Sequence, residues 1–258
     1  MNIQDVANRI VAQRMNRFPD VGPLLRPAGE ARYRQEGIRL RVAFASIRPG
    51  MAAEAVQRVL RYARARGMAV HWVVMPHRVD EQELPPALQA AGFYLAESLL
   101  LMAHEGAITA PISPTVVISP IVTWQAMLDY ERGSRQAFFD EASPSELAIV
   151  QRARDRWREQ EHGWCRYYVA LLRGVIVGGC YVSLFEEIPT IMGVYTVPSA
   201  RGQGIATALL ERAIGETIRP DRDVCCLFVR HGNPAERLDR QLGFAGLLDE
   251  DTYTNEIT

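Results

Sequence analysis

Two glycines, Gly202 and Gly204, stand one residue apart between a strand-like run and a helix-like run. The strand-like run stops at Pro198, and the apolar segment 204–217 has the length and composition of a helix. Glycine has no Cβ and reaches positive φ, so the chain can turn sharply here and let a ligand approach its backbone. The first amides of a helix have no intrahelical acceptor and carry a positive partial charge. The pattern therefore predicts either a pyrophosphate-binding helix start or simply a tight strand-to-helix turn.

The composition is that of a soluble globular protein of 258 residues, long enough for one large domain or two compact ones. With 29 basic and 30 acidic residues the formal net charge is -1, so we expect no nucleic-acid partner. No apolar run reaches the roughly 18–20 residues of a membrane span, and the first residues lack a signal-peptide core. These features favour a cytoplasmic protein with no membrane partner.

The cysteines and histidines predict no metal site, because they have no metal-ligand spacing. Cys225 and Cys226 are adjacent, so in a strand they point to opposite faces. We expect Cys165, Cys180 and this pair to be reduced and mostly buried. The scattered histidines His71, His77 and His104 are interpreted as structural.

The hydrophobic pattern predicts a mixed α/β (α+β) fold. Residues 1–36 are polar, rich in arginine and compatible with helix, with three prolines between them. Strands are predicted at 38–47, 68–75, 93–102, 167–172, 175–185, 188–197, 224–229 and from 244 onward. Helices are predicted at 51–66, 80–91, 124–139, 145–162, 204–217 and 234–242. Ser143 and Pro144 are predicted to cap and open the helix 145–162.

The order of elements repeats along the chain. Strand, long helix, buried strand, short helix and a Gly-Phe strand describe residues 38–104 and again residues 188–254. This order favours an internal duplication over coincidence. The proline-rich stretch 107–120 is the best linker candidate, although residues 115–118 could already form a strand, and it gives domains of residues 1–110 and 115–258.

The segment from Pro198 to Ala206 resembles the coenzyme A-binding signature of the GNAT acetyltransferase superfamily, Arg/Gln-x-x-Gly-x-Gly/Ala after a strand and a proline. Arg201, Gly204 and Ala206 occupy the signature positions. Asn233 and the later Leu242-Gly243-Phe244 match the usual family ending. The resemblance covers about residues 115–258.

The resemblance implies the GNAT fold, a mixed central sheet flanked by helices, in two related halves. The first half is a degenerate copy in which Arg48-Pro49-Gly50-Met51 replaces the glycine loop, so we expect no cofactor there. The second half is expected to bind acetyl-CoA as co-substrate between the strand ending at Val197 and the strand 224–229. The implied binding residues are Val194, Tyr195, Thr196, Arg201, Gly202, Gln203, Gly204, Ile205, Ala206, Thr207 and Asn233.

Catalysis in such enzymes is a direct attack of an amine on the thioester, and the candidate residues here are few. A backbone N–H near Thr196 is implied to polarise the thioester carbonyl. Where many family members have a tyrosine acid, four residues before the Gly-Phe pair, this chain has Asp239. Glu187 is a candidate base, together with its neighbour Glu186. The alternative acids are Tyr195, Tyr253 and His231.

Two functions are open at this stage. One is N-acetyl transfer to an amine of a small molecule or peptide. The other is a catalytically weak acyl-CoA-binding sensor or scaffold, which the absence of the tyrosine favours. Such folds often dimerise, so a homodimer is possible.

Overall fold

The computed structural model describes residues 3–15, 20–22, 25–76, 78, 81–106, 116–138, 145–184, 187–220 and 222–255. The helices are α1 (Ile3–Met15), α2 (Ala52–Arg64), α3 (Leu84–Ala90), α4 (Trp124–Phe138), α5 (Glu146–Glu161), α6 (Ile205–Thr217) and α7 (Pro234–Gln241). The strands are β1 (Asp20–Gly22), β2 (Gly29–Glu36), β3 (Arg39–Ile47), β4 (Ala69–Val74), β5 (Tyr94–Glu105), β6 (Val117–Pro120), β7 (Cys165–Leu172), β8 (Val175–Ser183), β9 (Thr190–Thr196), β10 (Val224–Arg230) and β11 (Ala245–Asn255). None of the helices in these ranges is long and apolar enough to cross a membrane.

The mixed α/β class is confirmed, and two local predictions are wrong. Residues 29–36 form a strand, β2, although their polar composition suggested helix. The N-cap of α5 is Ser145, whose hydroxyl accepts from the Ala148 amide, whereas Ser143 was predicted. Ser143 and Pro144 themselves lie outside the described residues.

The chain divides into two compact units that are not contiguous in sequence. The first contains Met1–Met102, Val229–Glu236 and Gly246–Thr258, and the second contains Ala103–Phe228 and Arg237–Ala245. We call them the N-terminal unit and the C-terminal unit. The predicted boundary between residues 110 and 115 lies outside the described residues, and the domain limits stay a prediction.

The N-terminal unit is built on a mixed sheet. β2 pairs antiparallel with β1 and β3, β3 pairs parallel with β4, and β11 pairs antiparallel with β4. The apolar stripe of α2 covers the sheet, since its buried residues recur at helical spacing. Trp72 on β4 and Leu40 on β3, both fully buried, belong to this core.

The C-terminal unit has the strand order β10-β9-β8-β7-β6, parallel between β10 and β9 and antiparallel elsewhere. β7 and β8 form the predicted hairpin at Arg173 and Gly174, with φ of 53° and 80° as a type I′ turn requires. Successive residues of β8 face opposite sides of the sheet. A Cβ on Gly178 would touch Ile205 and Leu209 of α6, and one on Gly179 would touch Tyr130 of α4.

Both units contain the same irregularity. β9 has one residue more than β8 between the pairs Gly179–Tyr195 and Tyr181–Met192, and Gly193 within this bulge has φ of 59°. β3 likewise has one residue more than β2, with Phe44 at φ of 52°.

The parallel pairing also stops at the same point in each unit. It ends at Ile191 in β9 and at Val42 in β3, two residues before the respective bulge. Together with the repeated element order, the matching bulges support an internal duplication.

Candidate functional site

The glycine loop between β9 and α6 has the conformation that its sequence predicts. A 3-10 turn, Pro198–Ala200, follows β9. Gly202 and Gly204 then adopt φ of 76° and 74°, which L residues with a side chain rarely do. Apart from each glycine and the residues directly before and after it, no heavy atom of the described residues lies within 4 Å of the place where a Cβ would stand on either glycine. The loop therefore needs glycine for its turn and also leaves its outer face open.

The start of α6 presents free amides at this open face. The first intrahelical bond runs from the Ala208 amide to the Gly204 carbonyl oxygen at 3.0 Å, so the amides of residues 205–207 have no acceptor within the helix. Gly204 is the N-cap and supplies no side-chain acceptor, and no acidic residue occupies the first turn. No acidic side chain of the first turn therefore shields the positive end of the helix dipole.

Arg201 holds this loop in place. Its Nε donates to the Thr196 carbonyl oxygen at 3.4 Å, and its Nη2 donates to the Ala137 carbonyl oxygen at 3.2 Å. Gln203, two residues further along the loop, is exposed. Arg201 thus joins the end of β9 to the last turn of α4.

The parallel strands β9 and β10 separate towards the glycine loop. Their register comprises the pairs Thr190–Cys226 and Ile191–Leu227, at the start of β9. The Val197 amide donates to the Val177 carbonyl oxygen at 2.9 Å, so the peptide groups of residue 197 face β8. Because peptide groups alternate in direction along an antiparallel strand, those of Thr196 face the other edge, towards β10. An open strand edge that can pair with an amide-containing ligand follows from this geometry.

Tyr195 serves the core rather than the cleft through its side chain. It is 3% exposed, and its hydroxyl donates to the Tyr130 carbonyl oxygen at 3.0 Å. Burial raises the pKa of Tyr195 far above its usual range. Its residue pairs with Gly179, so its peptide groups face β8. The interpretation of Tyr195 as an alternative acid is therefore wrong.

The other catalytic candidates are dispersed. Asp239, 5% exposed, lies on α7, and its carbonyl oxygen accepts the Phe244 amide. Glu187 is exposed in a bend at the start of β9, and six residues of strand, about 20 Å, separate Thr190 from Thr196. Glu186 lies outside the described residues.

Three further candidates belong to the N-terminal unit. Asn233 accepts the Ala235 amide at 2.9 Å and so caps α7. Tyr253 is buried in the core of that unit, so its interpretation as a cleft acid is wrong. His231 pairs with Asp249, with 2.7 Å between Nε2 and Oδ1.

The sequence analysis missed the bulge at Gly193 and the residues behind it. A glycine inside a strand is itself a signal for a bulge or a close approach. A Cβ on Gly193 would lie 3.1 Å from the Tyr181 ring and 3.5 Å from the Tyr130 hydroxyl. No comparable signal singles out Tyr130, because a tyrosine at helical spacing is usually a core residue.

The four cysteines are free thiols and all are buried, as predicted. Across the described ranges no group of three or more His, Cys, Asp and Glu side chains is arranged to hold a metal ion.

Comparisons with known proteins identify the fold and match part of the chain to a family model. Residues 163–246 match the family model described as "Acetyltransferase (GNAT) domain". A GCN5-related N-acetyltransferase from Sphaerobacter thermophilus is 18% identical, with a TM-score of 0.69 over 88% of this chain and 76% of its own. A GCN5-related N-acetyltransferase from Kribbella flavida is 14% identical, also with a TM-score of 0.69, over 100% of this chain and 96% of its own.

A tandem GNAT protein from the clavulanic acid biosynthesis pathway, in a form without AcCoA, is 14% identical. Its TM-score is 0.64, over 88% of this chain and 78% of its own. None of the curated proteins matches this chain in sequence. The structural likenesses show that the chain has the GNAT fold, and the tandem relative agrees with the repeated order of its elements.

Proposed function

We propose that the GNAT domain of this chain binds acetyl-CoA at the loop 201–207 and transfers its acetyl group to an amine of a small molecule or peptide. The loop carries this proposal: two glycines with open faces lead into a helix whose first amides have no acceptor. A pyrophosphate is an anion that such a helix start binds through backbone N–H groups. Acetyl-CoA is the donor that the family implies.

The residues present fit this donor. Gly202, Gln203, Gly204 and the first turn of α6 would hold the pyrophosphate, and Arg201 fixes the loop through the Thr196 and Ala137 carbonyl groups. The outward-facing peptide of Thr196, with Val194 two residues before it, would pair with the amides of the pantetheine arm. Asn233 remains a prediction from the family resemblance. A cytoplasmic location is part of the same proposal and agrees with four free thiols.

Acetyl transfer proceeds by direct attack of a neutral amine on the positioned thioester. The amine nitrogen bonds to the carbonyl carbon, the carbon–sulfur bond breaks, and sulfur keeps the electron pair. The proton lost by the nitrogen ends on sulfur. Because the amine attacks the thioester directly, no covalent enzyme intermediate is needed. Glu187 as base and Asp239 as acid remain proposals from the sequence.

Isothermal titration with acetyl-CoA tests the site. We expect micromolar binding, about 8 kcal/mol, by the unaltered protein and its loss in the double variant Gly202→Ala/Gly204→Ala. Each new methyl group would enter the open face and would cost about 1–2 kcal/mol at positive φ. Gly163→Ala is the matched control, since Gly163 has φ of 71°, an open Cβ position and no place in the loop. Failure of the unaltered protein to bind, or equal binding by the double variant, would contradict the proposal.

The buried carboxyl of Asp239, at a position where the family resemblance implies a tyrosine, favours a second candidate function, an acyl-CoA sensor or scaffold with little activity. Release of free thiol from acetyl-CoA with a panel of amines separates the two functions. Faster release with some amines supports the transferase. Tight binding without release across the panel supports the sensor.

A further inference from the structure

The hydroxyl of Tyr130 is directed at the bulge of β9. Tyr130 lies on α4, is 1% exposed, and packs edge-on against Tyr167 and Tyr195, with ring centroids 5.5 and 5.4 Å away. Its oxygen is 3.5 Å from the place where a Cβ on Gly193 would stand. Within the described part of the chain the contacts of Tyr130 are ring contacts and a hydrogen bond to its backbone carbonyl, and its hydroxyl forms no hydrogen bond. The hydroxyl of an otherwise buried side chain therefore faces the point where the strand is distorted and is available to a ligand there.

The surroundings of Tyr130 keep the hydroxyl protonated. Burial raises the pKa of Tyr130 well above 10, and the nearby Arg156 guanidinium opposes this only in part. Arg156 lies 5.6 Å from the ring centroid of Tyr130 and forms an ion pair with Glu131, which is 1% exposed. At neutral pH the hydroxyl is therefore a constant hydrogen-bond donor.

The split between β9 and β10 has one open end and one closed end. The glycine loop and Thr196 lie at the open end, and the pairs at Thr190 and Ile191 close the other end. An extended arm that starts from a pyrophosphate on the loop therefore directs its acyl end towards Ile191. Gly193 lies two residues from Ile191 on the side of the loop and is exposed, so a ligand can reach the strand there. Thr196 lies some 10 Å nearer the loop, where it would face the pantetheine arm rather than the thioester.

We propose that the Tyr130 hydroxyl donates a hydrogen bond to the carbonyl oxygen of the bound thioester at the Gly193 bulge. This inference rests on the acetyl-CoA site proposed above. The hydrogen bond stabilises the negative charge that develops on the oxygen when the amine attacks. Tyr130 keeps its proton throughout, since the proton lost by the amine goes to the leaving sulfur. In this arrangement the Tyr130 side chain, rather than a backbone N–H near Thr196, polarises the thioester carbonyl.

Infrared spectroscopy of the protein with [1-13C]acetyl-CoA reads this hydrogen bond without any acceptor. In the unaltered protein we expect the thioester carbonyl band to move to lower wavenumber on binding. In Tyr130→Phe we expect acetyl-CoA still to bind. The carbonyl band should then shift back to higher wavenumber, towards the position of a thioester that is shielded from water and accepts no hydrogen bond. Tyr168→Phe is the control, because Tyr168 is equally buried but faces away from Tyr167 and Tyr130.

A rate measurement complements the spectrum. With any amine that the unaltered protein acetylates, Tyr130→Phe should lower kcat about 10²–10³-fold, the usual loss for one oxyanion donor. A carbonyl band at the same position in Tyr130→Phe and the unaltered protein, with acetyl-CoA bound to both, would overturn this inference and leave the proposed function standing. A carbonyl band that does not move when the unaltered protein binds acetyl-CoA would also overturn this inference and leave the proposed function standing. Absence of acetyl-CoA binding by the unaltered protein would overturn both.

Discussion

Arg201 donates a hydrogen bond from Nη2 to the carbonyl oxygen of Ala137, 3.2 Å away in the last turn of α4. A cation at a helix C-terminus satisfies a carbonyl without an intrahelical partner and complements the helix dipole. The same side chain reaches back to the Thr196 carbonyl oxygen. Arg201 therefore holds the loop between β9 and α6 against the last turn of α4.

Variants of Arg201 distinguish the effect of its two hydrogen bonds from the effect of its positive charge. Arg201→Ala should weaken acetyl-CoA binding about ten-fold, because two hydrogen bonds that order the loop are lost. The free energy of unfolding should change by less than about 1 kcal/mol, since the side chain is exposed. Arg201→Lys should bind as weakly as Arg201→Ala, because lysine keeps the charge but not the fork. Titration calorimetry checks both, and unaltered affinity in Arg201→Lys would show that charge alone matters.

Gly133 on α4 leaves room for Tyr195. A Cβ there would lie 2.9 Å from the Tyr195 hydroxyl and 3.1 Å from its ring. Gly133→Ala should therefore destabilise the protein by about 1–2 kcal/mol, since overpacking outweighs the helix propensity of alanine. Gly215→Ala is the matched change, because Gly215 is a helical glycine with nothing within 4 Å of its Cβ position. It should stabilise by up to about 1 kcal/mol, and denaturant unfolding of both variants checks the opposite signs.

The glycine loop could be predicted from sequence because its determinants are local. Gly202 and Gly204 can adopt positive φ because glycine has no Cβ that would clash there. Pro198 marks the end of the strand beside them. The hairpin at Arg173 and Gly174 was predictable for the same reason. Apolar periodicity likewise located most helices and strands.

Features that depend on neighbours in space could not be predicted in this way. β2 is polar and half-exposed, so only its pairing with β1 and β3 makes it a strand. Phe44 has positive φ, which its residue type disfavours, and packing imposes that conformation. The orientation of Tyr130 towards Gly193 depends on how α4 crosses the sheet, which periodicity does not specify.

His104 should make the protein sensitive to acid. The side chain is 7% exposed and stacks edge-on against Phe244, and burial lowers its pKa below 6.5. The unfolded chain therefore binds a proton more readily than the folded one as pH falls below about 6.5. The contribution of His104 to the free energy of unfolding is therefore fully present above about pH 6.5. It decreases as pH falls towards the folded pKa, by at most about 1.4 kcal/mol per pH unit.

Urea unfolding at pH 7 and pH 5 measures this dependence. His104→Gln should be less stable at pH 7, where the neutral ring packs well, but should lose less stability on acidification than the unaltered protein. His71, whose pKa burial and nearby Arg39 and Arg41 lower as well, should account for part of the remaining slope. An unchanged slope in His104→Gln would show that His104 does not contribute.

The chain should bind one acetyl-CoA, not two, because the N-terminal unit fills its own copy of the site. Phe44, at the bulge of β3, packs with Val73, Met75 and Val11, and is only 7% exposed. The Gly50 amide, just before α2, donates to the Glu83 carboxylate at 2.8 Å, so an internal anion occupies one phosphate-binding position. Calorimetry with a known active fraction should give a stoichiometry near one, and Gly202→Ala/Gly204→Ala should remove all of the binding heat. A stoichiometry near two, or residual binding by that double variant, would place a second site in the N-terminal unit.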